Sequence, residues 1–323
     1  MAERTIDVTD EQARWDQASP VLSRCTAPDA LSNLVAVLEL AADRQLSCGA
    51  TTRRPSAATV KLVEDVLVAG DYYDGGEPVA AAAWPVLLQV GGLARQAGTR
   101  LDLTPRGEAT LAEPSYQALS ALWTKWLTCV SHDELRRVEA IKGQRKPSTL
   151  TSVPKRRAAV AAALASVEPG TWIDSDDLLA ILQTQPAPLA VARSLLTLFR
   201  LYLIDSYYGS LGHAGHQAWG IVEGRYALCV LFEYAATMGV IDVAYTDPAG
   251  ARADYRGLWG GDSLAWLSRY DGLVGVRVNE LGAAILHDPA AVRSLGLPVP
   301  RGGIASLARP LSPPAEGQLD KLL

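Results

Sequence analysis

WGIVEGRYALCVLFEYAATMGVIDVAY (219–245) and LSRYDGLVGVRVNELGAAIL (267–286) decide how this chain folds. From Tyr226 to Gly239 the apolar residues recur at helical spacing, and Gly239 suits a helix end because glycine readily adopts the left-handed backbone of a C-cap. Val240 to Tyr245 then alternates apolar and polar residues with the period of two that marks a strand. Leu273 to Val278 forms a second strand, and Leu281-Gly282 opens a closing helix through Leu286. The order is helix, strand, turn, strand, helix.

A simpler copy of that order lies upstream. Ala83 to Gly91 is a short apolar helix running into glycines, and LARQAGTRLDL (93–103) makes two short strands around an Ala-Gly turn. TPRGEATL (104–111) starts a helix, with Thr104 as N-cap and Pro105 at the first helical position. LDLTPRGEATL (101–111) lines up with VRVNELGAAIL (276–286): a strand, polar residues, a glycine and an apolar helix.

Both copies extend backwards in the same way. DALSNLVAVLELAAD (29–43) is an amphipathic helix with Leu31, Leu34, Val35 and Leu38 on its buried stripe. Gln45 to Cys48 is a short strand, and Ser56 caps a helix over Thr59–Val68 that Gly70 ends. Downstream, Ala158 to Val167 is an alanine-rich helix, Thr171-Trp172-Ile173 a short strand, and Asp174 or Ser175 the cap of a further helix. Between the copies, 115–130 forms a helix with Leu119, Leu122, Trp123, Trp126 and Leu127 on one side.

Helix, strand, helix, helix and two-stranded wing is an order that resembles the winged-helix superfamily, over roughly 29–112 and 158–287. Together the halves are similar to tandem winged-helix proteins, such as the modules attached to bacterial helicases and the paired subunits of SMC-type complexes. The implied fold class is mainly α with small β wings (α+β), two winged-helix units joined by a helical basic linker. The divisions are an N-terminal arm (1–28), unit 1 (29–114), the helix and basic linker (115–157), unit 2 (158–290) and a Pro/Gly-rich tail (291–323). An insertion over 184–223 interrupts unit 2.

Composition narrows the function. Net charge is −5, which excludes a chain coated with positive charge but not a local basic face. The stretch 131–160 concentrates Arg136, Arg137, Lys142, Arg145, Lys146, Lys155, Arg156 and Arg157 against only Asp133, Glu134 and Glu139. That density suits a phosphate backbone. Arg53 and Arg54 precede a helix start, where backbone N–H groups and guanidinium forks favour a phosphate. Arg225 lies near the start of a helix in the position from which winged-helix proteins approach a DNA groove. That helix and the one at 83 are strongly apolar, lacking the Asn, Gln and Arg face of base readout.

Other candidates have simpler readings. Trp123, Trp126, Trp172, Trp219, Trp259 and Trp266 offer faces for base stacking, but Trp123 and Trp126, at helical spacing, read as core residues. His213 and His216 lie in a glycine-rich loop with no further ligand at metal spacing. Asp174, Asp176 and Asp177 complement a helix start, and Arg252, Arg256 and Arg269 cross-brace Asp254, Asp262 and Asp271 in a long wing loop. Four scattered cysteines support neither a disulfide framework nor a zinc site.

No phosphate-binding loop, dinucleotide fingerprint, nucleophile elbow or zinc-protease motif is present. The expectation is a non-enzymatic bacterial protein without metal or cofactor, acting on DNA as a subunit of a larger complex. The alternative is a protein–protein adaptor, dimeric in one form of that reading. The charged start lacks a signal peptide's apolar core and no run approaches the roughly 18 apolar residues of a membrane span, so a cytoplasmic protein without membrane contact is expected.

Overall fold

Short polar side chains cap several helices of the computed structural model, which describes residues 19–73, 76, 78–144 and 149–299. After a first strand β1 (Leu22–Arg24) come α1 (Ala27–Ala42), α2 (Ala57–Val66) and α3 (Ala80–Val90). The hairpin β2 (Ala94–Ala97) and β3 (Arg100–Leu103) follows, then α4 (Pro105–Ala112). Ser56 Oγ accepts from the Thr59 N–H to cap α2, and Thr104 Oγ1 accepts from the Gly107 N–H to cap α4. The strand expected over Gln45–Cys48 shrinks to two bridges, Ser47 with Arg100 and Cys48 with Pro55.

The second half continues with α5 (Tyr116–Thr128), β4 (Ile141–Lys142), α6 (Val153–Ser166), β5 (Trp172–Asp174) and α7 (Ser175–Thr184). Asp174 caps α7 by accepting from the Asp176 N–H. The insertion holds a one-turn helix, α8 (Leu195–Leu198), and β6 (Tyr202–Leu203), which pairs antiparallel with β4. A helix over 217–235, here α9, is α-helical at Arg225–Cys229 and wound wider, as π-helix, at Gly220–Gly224 and Val230–Ala235. Strands β7 (Ile241–Tyr245) and β8 (Leu273–Val278) and the closing α10 (Glu280–His287) complete the chain of elements.

The molecule is mixed α+β with small sheets. The largest sheet has the order β1-β7-β8-β5, antiparallel throughout. In both halves a short upstream stretch pairs with the second strand of the later hairpin: Ser47 with Arg100, and Trp172 with Arg277. The aligned glycines are equivalent in detail. Asn279 Oδ1 caps α10 through the Gly282 N–H, as Thr104 caps α4. A Cβ on Gly107 would meet the Leu93 carbonyl oxygen, and one on Gly282 the Val240 carbonyl oxygen. In both places the glycine lets a helix start lie directly on the backbone entering the hairpin.

One buried apolar cluster runs from Ala27 to Val292 through both halves. Its centre is α9, in which every residue from Ile221 to Ala235 is buried. The α3 helix, buried from Ala80 to Leu88, packs against the Val230–Ala235 turns of α9. Thus the third helix of each half lies inside the molecule, and Arg225 is 1% exposed rather than poised at a groove. Residues 131–144, expected as a linker, are drawn into the same core through Leu135, Val138 and Ile141, all at most 2% exposed. No helix among the described residues is long and apolar enough to cross a membrane.

Gly107→Ala and Gly282→Ala are each expected to lower unfolding free energy by about 1–3 kcal/mol, because the added methyl would run into the Leu93 or Val240 backbone. Thr104→Ala and Asn279→Ala should each cost about 1 kcal/mol through the lost cap. Urea unfolding of the four variants measures both effects.

Candidate functional site

The basic residues singled out from sequence separate into two groups by where their charge is answered. Helix α6 carries Val153, Arg157, Val160 and Leu164 on one face, so Arg157 points inward with the apolar residues. There its guanidinium bonds Glu134 Oε1 from Nε (2.9 Å) and from a terminal nitrogen (2.5 Å). It also donates to the carbonyls of Trp126, Cys129 (2.7 Å) and His132 (2.9 Å). Neighbouring Arg156 makes a two-pronged pair with Asp133 at 2.9 and 2.8 Å and lies over the Tyr226 ring.

Arg137 and Arg225 are held by the buried face of α9 and what surrounds it. Arg137 Nε sits 2.8 and 2.9 Å from the two oxygens of the fully buried Glu233, which also accepts from the Tyr270 hydroxyl. Arg225 pairs with Asp271 at 3.0 Å and with Asp254. Burial pushes the Asp271 carboxyl above its ordinary range, with Arg225 opposing the shift. Arg156, Arg157 and Arg225, at most 1% exposed, are therefore removed from the phosphate surface expected of them, and the guanidinium of Arg137 is committed to Glu233. A guanidinium locked onto a carboxylate at this depth is withdrawn from a ligand in solvent.

The second group remains exposed and is brought together by the fold. Arg54, Arg136 and Lys142 line one cleft of about 570 Å³ with Glu139, Gln144 and Tyr202. Arg54 reaches it from the turn before α2, donating to the Arg136 carbonyl at 3.3 Å across 82 residues of sequence. That turn is closed by Arg53 N–H to Gly49 O and Gly49 N–H to Arg54 O, with Arg53 itself at φ 56°. Lys142 is set by the β4–β6 pairing directly opposite Tyr202. Among the described residues no acid pairs with Arg54, Arg136 or Lys142, whereas Glu139 is answered by Arg269 at 3.5 Å. Lys155 is exposed on α6 and does not line the cleft. Arg145 and Lys146, which follow Gln144 directly in sequence, lie outside the described residues.

Sequence reasoning missed Tyr202, Ile204 and Gln144. Tyr202 and Ile204 belong to an apolar run that reads as core, and their exposure follows only from the β4–β6 pairing at the surface. For Arg157 a signal did exist, since it occupies an apolar-stripe position 23 residues after Glu134, just as Arg156 follows Asp133. Trp123 and Trp126 are buried, while Trp259 is 58% and Trp266 38% exposed. His213 and His216 are exposed, and no group of three or more metal-ligating side chains occurs among the described residues. Asp176 pairs with Arg252, and Asp174 caps α7.

The arrangement can hold anions at its open cations. Among the described residues that line the cleft, no nucleophile lies beside a base. Comparison of the chain with protein-family models, curated proteins and solved structures finds no match.

Arg157→Ala is expected to lower stability by about 3–5 kcal/mol, because Glu134 would be left buried and unpaired. Arg136→Ala and Lys142→Ala should leave the denaturant midpoint unchanged, which separates the two groups in a single unfolding experiment. His132 Nε2 lies 2.8 Å from the Tyr234 hydroxyl, and burial lowers its pKa below the ordinary histidine value. Below about pH 6.5 the unfolded chain therefore binds a proton that the folded chain refuses, and stability falls as pH drops through that window. His132→Gln should flatten the pH dependence of the melting temperature between about pH 7 and 5.5.

Proposed function

We propose that the protein is a non-enzymatic, nucleic-acid-binding chain of two winged-helix units, acting as a DNA-binding subunit of a larger bacterial complex. The observation that carries this reading is the cleft where Arg54, from the first half, meets Arg136 and Lys142. Three open cations gathered on an otherwise acidic chain mark a place where a polyanion neutralises charge the protein has left unpaired. The shared element order and strand order of the two halves support the winged-helix assignment.

The mode of binding differs from that of a groove-reading helix. Both third helices are interior, so neither enters a major groove. Contact is with the phosphate backbone, which positions a nucleic acid without reading bases. Affinity then depends on counterion release and falls steeply with salt.

A second reading, a protein–protein adaptor, is favoured by the apolar residues that the insertion exposes. Leu195 is 61%, Leu196 75% and Phe199 41% exposed, on and just after α8. An apolar interface of that kind responds little to salt.

Binding of labelled DNA at about 50 and 200 mM salt distinguishes the two. The triple variant Arg54→Glu, Arg136→Glu, Lys142→Glu is expected to lose binding while keeping the wild-type melting temperature, and Arg293→Glu, in the turn after α10 and outside the cleft lining, to behave as wild type. Binding that is insensitive to salt and to the triple variant removes the nucleic-acid reading.

A further inference from the structure

Three clefts adjoin one another through shared lining residues. The basic cleft shares Glu139 and Lys142 with a second of about 290 Å³. That one shares Trp266 and Arg269 with a third, of about 610 Å³, lined by Tyr72, Tyr73 and Leu22. The lining changes along this trough from the open cations to Ile204, Leu264 and Trp266, and then to tyrosines. Ile204 is 54% exposed, and beyond it lies a Tyr208–Trp259 ring pair with centroids 4.9 Å apart, its glycine neighbour Gly260 packed on Ile204.

Resting on the nucleic-acid reading above, we propose that this trough binds single-stranded nucleic acid. The phosphates lie on Arg54, Arg136 and Lys142, and unstacked bases lie on Trp266. Three observations lead to a single strand rather than a duplex. A duplex keeps its base faces stacked inside, so an exposed tryptophan beside a row of cations gains nothing from it, whereas an open strand offers a π-face at every nucleotide. The helices that would read a duplex groove are buried against each other. The one acid shared by the first two clefts, Glu139, is answered by Arg269, which keeps the path to Trp266 free of an uncompensated negative charge. Stacking accepts any base, so the site is tolerant of sequence, and its aromatic wall is what an acidic peptide of equal charge would leave unused.

The test uses the full chain, an oligothymidylate of about 15 nucleotides, a duplex of the same length and a glutamate peptide of matching charge, followed by fluorescence anisotropy at about 50 mM salt. The single strand is expected to bind at least about tenfold tighter than the duplex and to resist the peptide as competitor. Trp266→Ala should weaken the single strand about tenfold and leave the duplex and the melting temperature unchanged, with Trp266→Phe restoring most of the loss. Equal binding of strand and duplex, or no response to Trp266→Ala, overturns the single-strand proposal. If Arg136→Glu with Lys142→Glu still abolishes both under that outcome, the phosphate-binding reading stands by itself. Binding of neither nucleic acid overturns both, and displacement by the peptide at equal charge concentration assigns the trough to an acidic protein segment.

Discussion

The saturated guanidinium of Arg157 is the constraint on which the rest of the structure depends. Its five N–H donors make five hydrogen bonds, two to Glu134 and three to backbone carbonyls at and beyond the end of α5. One side chain thereby neutralises a buried acid, fastens the backbone carbonyls of Trp126, Cys129 and His132, and ties 126–134 to α6. Trp126 lies beneath the guanidinium at 4.6 Å and stacks on Tyr234 of α9, while the Tyr226 hydroxyl reaches Glu134 at 3.2 Å. The central helix, α5 and α6 are thus fixed relative to one another around one charge.

Helix α9 extends this principle. Glu223, Arg225 and Glu233 are all buried on it, and each is answered from a different direction. Glu223 accepts from the backbone N–H groups of Val191 and Ala192, Arg225 holds Asp254 and Asp271, and Glu233 holds Arg137 and Tyr270. Through those partners the helix fastens the insertion, the long loop between β7 and β8, and the 131–144 segment. Removing one member of such a pair is far more damaging than never having had the pair, since the desolvation of the survivor goes uncompensated. The wide turns at Gly220–Gly224 and Val230–Ala235 lie where two of these carboxyl side chains, Glu223 and Glu233, project.

This internal economy of charge determines the outside. Basic residues that look like one cluster in sequence divide into those that brace the core and those left without an acid. Only the second group, with Arg54 added from elsewhere in the chain, makes an electropositive cleft. Burying the third helix of each half in the shared core has a parallel effect: it strengthens the molecule and withdraws both helices from the surface. The insertion, anchored by Glu223 and by β6 on β4, then supplies Tyr202 and Ile204 to the exposed face.

Local chemistry made much of the element order readable. Ser56, Thr104, Asp174 and Asn279 start helices because their side chains reach a free backbone N–H two or three residues on, a purely local geometry. The alternation of Leu273–Val278 and the aligned Gly107 and Gly282 likewise mark strands and close backbone approaches without reference to the rest of the chain. What the sequence could not determine is which charges face inward. Apart from Arg157, whose place on the apolar stripe of α6 marks it locally, the buried Arg156 and Arg225 differ from Arg136 and Lys142 in having acids brought within hydrogen-bonding distance by contacts 23 to 46 residues away. Tertiary packing alone decided that Arg54 joins Arg136, that Trp266 stays at the surface while Trp126 does not, and that the two apolar third helices meet each other. Side-chain pairing across long sequence separations depends on the assembled core, and no local pattern encodes it.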